Sequence, residues 1–185
     1  MKILELNKED FKNAEFHFHY ESDKYYKVIY SPTEDGWEIK FKLTSVQEKI
    51  VRDWEGHLFA DWMETDSDGG CQIFGFEDNN KIIGWLTIGK EGWTNRLRVY
   101  EILIQEDCRN RGYGKTLIEK AKEVAREKNC YAVILETQTS NYNAIEFYKS
   151  CGFKLFGCDL NCYHNNDIER DEVRTEMVYE LNDEI

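Results

Sequence analysis

The sequence predicts an α+β fold built on a mixed, mostly antiparallel twisted sheet. Three observations carry that expectation. Residues 71–105 hold three segments rich in β-branched and aromatic residues, separated by two short turns. Beyond Gly114, Leu117, Ile118, Ala121, Val124 and Ala125 recur at helical spacing with charged residues opposite them. Residues 131–137 then form a short, nearly continuous apolar run, as a strand buried on both faces requires. A chain of 185 residues can bury a sizeable core as one domain covering residues 1–185, and no repeat, linker or low-complexity tract divides it.

Taken in order, residues 3–6 read as a short strand, after which Asn7 can cap a helix with Asp10 in its first turn. Residues 21–35 are rich in Tyr, Asp, Ser and Lys, hold the sole proline (Pro32) and show no clean period, which predicts an irregular surface excursion. Residues 38–43 alternate apolar and charged side chains as a half-buried strand does. Residues 46–63 place Ile50, Trp54, Leu58 and Trp62 at helical spacing and predict a helix with those side chains in the core. The meander follows as strands 71–77, 81–89 and 96–105, joined by turns at Asp78-Asn79-Asn80 and through Gly92. A long helix begins near Gly114, residues 141–150 read as a shorter one stopped at Gly152, and strands near 153–158 and 172–179 close the sheet as a hairpin.

Composition excludes several classes of function. Lys and Arg number 24 against 36 Asp and Glu, and the resulting net charge of −12 repels nucleic acid and anionic lipid while attracting cationic ligands. No apolar run approaches the roughly 20 residues that span a bilayer. The chain opens without a secretory pattern, so its six cysteines are expected as reduced thiols in a cytoplasmic protein. Cys158, Cys162 and His164 lie close together, yet no second Cys or His pair stands at zinc-ligand spacing, so no metal site is expected.

Two segments carry chemistry. The string Arg109-Asn110-Arg111-Gly112-Tyr113-Gly114 lies between a strand and a strongly periodic helix. Glycines there permit positive φ and close backbone approach, and the first N–H groups of the helix point outward with the positive end of its dipole. Arg109 and Arg111 can add charge-assisted hydrogen bonds to a pyrophosphate, although the six residues alone favour an ordinary strand-to-helix turn with two solvated arginines. The second segment, Asn141-Tyr142-Asn143-Ala144-Ile145-Glu146-Phe147-Tyr148, opens the helix after the buried strand.

Together these segments resemble the GNAT superfamily of N-acetyltransferases, whose order of meander, phosphate turn, long helix, buried strand and shorter helix is the order read above. The resemblance implies a mixed sheet of about seven strands flanked by about four helices. It also implies acetyl-CoA as cosubstrate, held by Ile102, Ile104, residues Arg109 to Gly114, Lys115, Asn141, Ala144 and Tyr148. Asn141 would approach the pantetheine arm and Tyr148 the thioester sulfur. Within the superfamily the likeness is greatest to streptothricin acetyltransferases, in Leu135 to Asn141, Tyr148, Cys151 to Phe153, Gly157, Asp159, Leu160 and Tyr163, with Ile83, Gly84 and Trp93 upstream. That group acetylates the β-lysine amine of a cationic antibiotic. Here the strand at 174–180 departs from the group's aromatic-rich end, and residues 20–37 have no evident counterpart.

The reaction assigns further roles. An alkyl ammonium with a pKa near ~10.4 must lose its proton before it can attack, so a carboxylate is needed. Glu101 is the first choice, standing among Ile102, Leu103 and Ile104, and Glu136 competes with it. Tyr148 can protonate the departing thiolate, and a backbone N–H of residues 99–105 can stabilise the oxyanion, with no acyl-enzyme on Cys108 or Cys151. Glu136, Asp159 and Trp85 are the expected contacts to a small-molecule cationic amine. Homodimerisation, common in the superfamily, is compatible with the sequence without being required by it. Two alternatives stay open at this stage: an acetyltransferase acting on a peptide amine, and a CoA-binding sensor domain that has lost transfer.

Overall fold

A computed structural model describes residues 2–11, 14–57 and 70–181. Its elements are β1 (Lys2–Leu6), a 3-10 turn (Lys8–Asp10), β2 (Glu15–Thr33), β3 (Gly36–His57), β4 (Gln72–Asp78), β5 (Lys81–Glu91), β6 (Arg96–Ile104), a second 3-10 turn (Glu106–Cys108), α1 (Tyr113–Glu127), β7 (Ala132–Gln138), α2 (Tyr142–Ser150), β8 (Lys154–Asp159) and β9 (Arg174–Glu180). Seven of these nine described strands share one hydrogen-bonded sheet, while β2 and β3 pair separately. The α+β class with a mostly antiparallel sheet therefore holds. None of the described helices is long and apolar enough to cross a membrane.

The chain divides into two compact units. The first comprises Met1–Phe18, Glu55–Leu135 and Val178–Ile185. Its strands run in the order β1-β4-β5-β6-β7, antiparallel except for the parallel pair β6 and β7. Asn79 and Asn80 join β4 to β5 with φ of 49° and 62°, the left-handed pair that a tight hairpin turn demands and that asparagine tolerates. The apolar stripe read from the sequence packs α1 onto β4, β5 and β6, and Leu117, Ile118, Ala121, Val124 and Ala125 are all buried. On the sheet's other face Ile73, Trp85 and Leu103 join Phe18 and Cys71 in a core cluster that Leu6, Phe11, Phe16 and Tyr100 cover.

The second unit comprises His19–Trp54 and Glu136–Met177. Two expectations fail here. The predicted irregular excursion at 21–35 lies almost wholly within β2, and the predicted helix at 46–63 is instead the continuation of β3 through His57, with 58–63 outside the described residues. The physical reason is that residues 46, 50 and 54 are spaced by four, which keeps them on one face of a strand as well as on one face of a helix. Tyr25, Tyr26, Val28, Ile29 and Tyr30 of β2 and Val46, Ile50 and Val51 of β3 are strand-forming types, and their pairing into a hairpin overrides the helical period. Trp54 is accordingly exposed rather than a core residue.

The loss of that helix also changes the inventory. Among the described residues there are two α-helices and two 3-10 turns rather than about four helices, because the helix expected after Asn7 is a single 3-10 turn. There the Glu9 N–H donates to Asn7 Oδ1 at 3.3 Å. Strands β7, β9 and β8 are neighbours in that order, as the closing hairpin required. Helix α2 ends where expected, with Gly152 at φ 88°.

Candidate active site

In the first unit, β6 leads through the second 3-10 turn into Arg109 to Gly112 and then α1. Gly112 is the residue before the helix and has φ 84° and ψ −2°. A Cβ at that position would meet nothing within 4 Å, so glycine serves the left-handed backbone and not a close contact. The first intrahelical bond runs from the Thr116 N–H to the Gly112 carbonyl at 3.2 Å, and no side chain caps the start. Tyr113, Gly114 and Lys115 thus present N–H groups without an intrahelical acceptor at the positive end of the dipole.

Both arginines of the turn fold back on its backbone. Arg109 Nε donates to the Ile104 carbonyl at 3.2 Å and Arg111 Nη2 to the Asp107 carbonyl at 2.9 Å. They brace the turn while adding positive charge beside it. The ring of Tyr113 stacks on Phe76 at 4.6 Å, and a cavity of about 370 Å³ lined by Lys2, Arg111, Gly112, Tyr113 and Thr116 opens alongside. Uncapped N–H groups beside positive charge are groups that attract an anion, while Ile3 and Phe76 make part of the lining apolar.

Glu101 lies on β6 next to an irregularity. The register pairs Thr87 with Glu101 and Ile88 with Val99, which leaves Tyr100 as an extra residue and breaks the ladder there. The parallel pairing of β6 with β7 ends nearby, at Val99 with Leu135. Trp85 pairs with Leu103, so alternation puts Glu101 on the face of Trp85 and Leu103, and Ile102 and Ile104 on the face covered by α1. Glu101 is half-buried. Trp85 is 7% exposed and meets Phe16 edge to face at 4.9 Å, and its Nε1 is buried with no hydrogen-bond partner among the described residues.

On this same face a cavity of about 730 Å³ has Trp85, Phe16 and Leu103 as apolar lining and Glu15, Glu106 and Asp107 as exposed carboxylates. Arg109 and His17 line it as well. Sequence reasoning named Trp85 here and missed the three acids. Glu106 and Asp107 directly precede the phosphate turn in the chain, but nothing in the sequence brings Glu15 to them.

In the second unit, Asn141 caps α2, its Oδ1 accepting the Ala144 N–H at 3.2 Å. Tyr148, 8% exposed, packs between Phe147 and Phe153 with ring centroids 5.2 Å and 6.1 Å away. Glu136 is paired: Arg174 Nε lies 2.5 Å from its Oε2, and the Tyr163 hydroxyl donates to its Oε1 at 3.4 Å. Burial, and then the charge of Glu136, push the Tyr163 phenol well above its ordinary range, so it stays a donor. Asp159 is exposed and accepts the Asn161 N–H at 3.0 Å. The two expected substrate carboxylates of this unit therefore differ, one neutralised by an arginine and the other open to solvent.

Residues 30–153 match the family model described as the Acetyltransferase (GNAT) family. The chain is similar to the streptothricin acetyltransferase of Escherichia coli, 31% identical over 100 residues that cover 54% of this chain and 57% of that protein. It thus spans little more than half the length of that relative. Streptothricin acetyltransferase A of Bacillus subtilis (strain 168) is 26% identical over 167 residues, covering 89% of this chain and 90% of the relative. Among solved structures, a Bacillus anthracis (str. Ames) protein in complex with acetyl coenzyme A superposes with a TM-score of 0.67 at 26% identity, over 98% of this chain and 97% of that one.

Proposed function

The chain belongs to the GNAT acetyltransferase family, and from that membership we propose that it works as a single acetyltransferase domain. In this reading it transfers the acetyl group of acetyl-CoA to a primary amine of a small cationic acceptor, with a streptothricin-type β-lysine amine as the specific substrate. The observation that carries the reading is the continuity of β6 and α1. One stretch of chain holds a half-buried carboxylate, Glu101, beside a break in the ladder and then an uncapped helix start at the left-handed Gly112.

Acetyl-CoA supplies an acetyl thioester. The N–H groups of Tyr113, Gly114 and Lys115, with Arg109, Asn110 and Arg111, hold its pyrophosphate, a role that suits the uncapped helix start and the adjoining cavity. Ile102 and Ile104 offer β6 backbone to the pantetheine arm, and Asn141 and Ala144 are proposed contacts to acetyl-CoA at the start of α2. Glu101 accepts the proton of the attacking ammonium, directly or through water, and a β6 N–H beside the Tyr100 irregularity faces the carbonyl oxygen as it gains charge. Tyr148 gives its proton to the sulfur as the C–S bond breaks and the C–N bond forms, and the second proton leaving the acylated nitrogen restores the phenol. Direct transfer suits the thiols: Cys151 is buried, and desolvation and Asp107 hold Cys108 above the ordinary thiol range, where it is a poor nucleophile.

Glu101 is preferred to Glu136 as the base because it lies on β6, beside the break in the ladder and in the stretch that runs on into the phosphate turn. For the acceptor, the net charge of −12 and the acid-rimmed cavity on the Glu101 face favour a cation with an apolar body over an extended peptide. Trp85 lines that cavity, and Asp159 and Glu136 remain proposed contacts. Thiol release from acetyl-CoA, followed with streptothricin, polyamines, aminoglycosides and peptides, tests the reading. Release with streptothricin supports it in full, release with peptides alone removes the small-molecule acceptor, and acetyl-CoA binding without any release leaves a sensor domain.

A further inference from the structure

The tyrosine-rich stretch that the sequence left as an irregular excursion makes a set of contacts whose target is one short segment. Within the second unit, β2 meets the junction between β7 and α2 along its length. The Tyr20 hydroxyl lies 2.9 Å from Ser140 Oγ. The Tyr26 N–H donates to the Thr139 carbonyl at 3.0 Å, and the Tyr26 hydroxyl donates to Glu146 Oε1 at 2.9 Å. Asn143 Nδ2 returns a bond to the Glu21 carbonyl at 2.8 Å, and Lys24 sits over the Tyr142 ring, 5.5 Å from its centroid.

These contacts fall on a segment held from its other side as well. The Thr139 N–H donates to the Val173 carbonyl at 2.9 Å, and the Val173 N–H donates to Thr139 Oγ1 at 3.0 Å. Thr139 is 0% and Ser140 1% exposed, so water cannot replace a bond lost there and the segment would shift to find another partner. The clamped residues immediately precede the Asn141 cap and include the first two turns of α2. That helix is the element that presents Asn141, Ala144 and Tyr148.

We propose that Tyr20 and Tyr26 are positioning residues for acetyl transfer: through Ser140 and Glu146 they fix the start of α2 and so the placement of Asn141 and Tyr148. The inference rests on the acetyltransferase reading. It gives the β2–β3 hairpin a role in the reaction, where sequence reasoning found no counterpart for it. Because the phosphate turn belongs to the first unit, the clamp acts on turnover more than on acetyl-CoA affinity.

The test is steady-state thiol release, with acetyl-CoA varied, by the full chain and its variants Tyr20→Phe, Tyr26→Phe, Ser140→Ala and the double variant Tyr20→Phe/Ser140→Ala. Tyr30→Phe, on an exposed side chain of the same strand, is the control. Tyr20→Phe and Tyr26→Phe are each expected to lower kcat about 3- to 10-fold, the worth of one hydrogen bond, with KM for acetyl-CoA changed less than about 2-fold. The double variant should fall no further than Tyr20→Phe alone, and Tyr30→Phe should match the unaltered protein. A melting temperature lowered with kcat intact would make the tyrosines merely structural and overturn the proposal, as would additive losses in the double variant. Thiol release that is normal in every variant sinks the positioning role alone. No release by the unaltered protein with any amine removes the acetyltransferase reading and the positioning role with it.

Discussion

The guanidinium of Arg174 lies against the carboxylate of Glu136, with Nε 2.5 Å from Oε2, and the same guanidinium reaches Glu176 at 2.6 Å. The Tyr163 hydroxyl donates to the other Glu136 oxygen at 3.4 Å, so that carboxylate is held on both sides. Of the two acids that the sequence put forward as the base, Glu101 is the one on β6, beside the break in the ladder and the phosphate turn.

Glu101→Gln should therefore lower kcat by about 10²- to 10⁴-fold, the worth of a general base. Glu136→Gln should lose less than about 10-fold. Steady-state kcat of both variants decides the matter; a Glu101→Gln enzyme that retains its rate would return the role to Glu136 or to water.

Replacing Tyr148 by phenylalanine removes a hydroxyl from a packed ring without opening a cavity. Turnover is expected to drop by about 10²-fold while acetyl-CoA affinity, measured by calorimetry, stays within about 2-fold of the unaltered protein. An unchanged kcat would remove Tyr148 from proton transfer.

At Gly112 the backbone, not the space, sets the requirement. Gly112→Ala forces an L-residue to φ 84° at a cost of about 1–2 kcal/mol, so acetyl-CoA binding should weaken about 10-fold as the turn relaxes. Gly112→Asn, which tolerates the left-handed region better, should bind more tightly than Gly112→Ala. Equal affinities for all three proteins would mean that the turn does not hold the pyrophosphate.

Stability should carry its own pH signature at Glu91. Burial opposes its charge, but hydrogen bonds from Arg98 and Thr94, together with the charges of Arg98 and Arg96, outweigh that and hold the carboxyl below its ordinary range. A depressed folded pKa contributes stability that is fully present above the unfolded value near ~4.3 and is lost as pH falls through the folded one. Glu91→Gln should thus destabilise by about 2–4 kcal/mol at neutral pH, with the gap closing in acid. Chemical denaturation at two pH values measures it, and a pH-independent gap would contradict the assignment.

How much of this was legible in the sequence varies element by element. Helix α1 was plain because five apolar residues keep a period that only a helix satisfies, and the β4–β5 turn because Asn79 and Asn80 suit left-handed backbone. The phosphate turn gained meaning from its place between β6 and α1. Residues 46, 50 and 54 misled because a spacing of four is even, so one face of a strand satisfies it too, and the partner strand that decides the matter lies elsewhere in the chain. Local pattern likewise could not reveal that Arg174 neutralises Glu136, that Glu15 joins Glu106 and Asp107 around one cavity, or that Tyr20 reaches Ser140. Each of those pairings is long-range, made by the fold and not by spacing.

The most direct test is a thiol-release assay with purified protein, acetyl-CoA and streptothricin, the product being identified by mass. Stoichiometric release of thiol with a single acetyl group added to the antibiotic's β-lysine amine is the expected result. Absence of release with streptothricin and with every other amine, under conditions where acetyl-CoA binds, would contradict it.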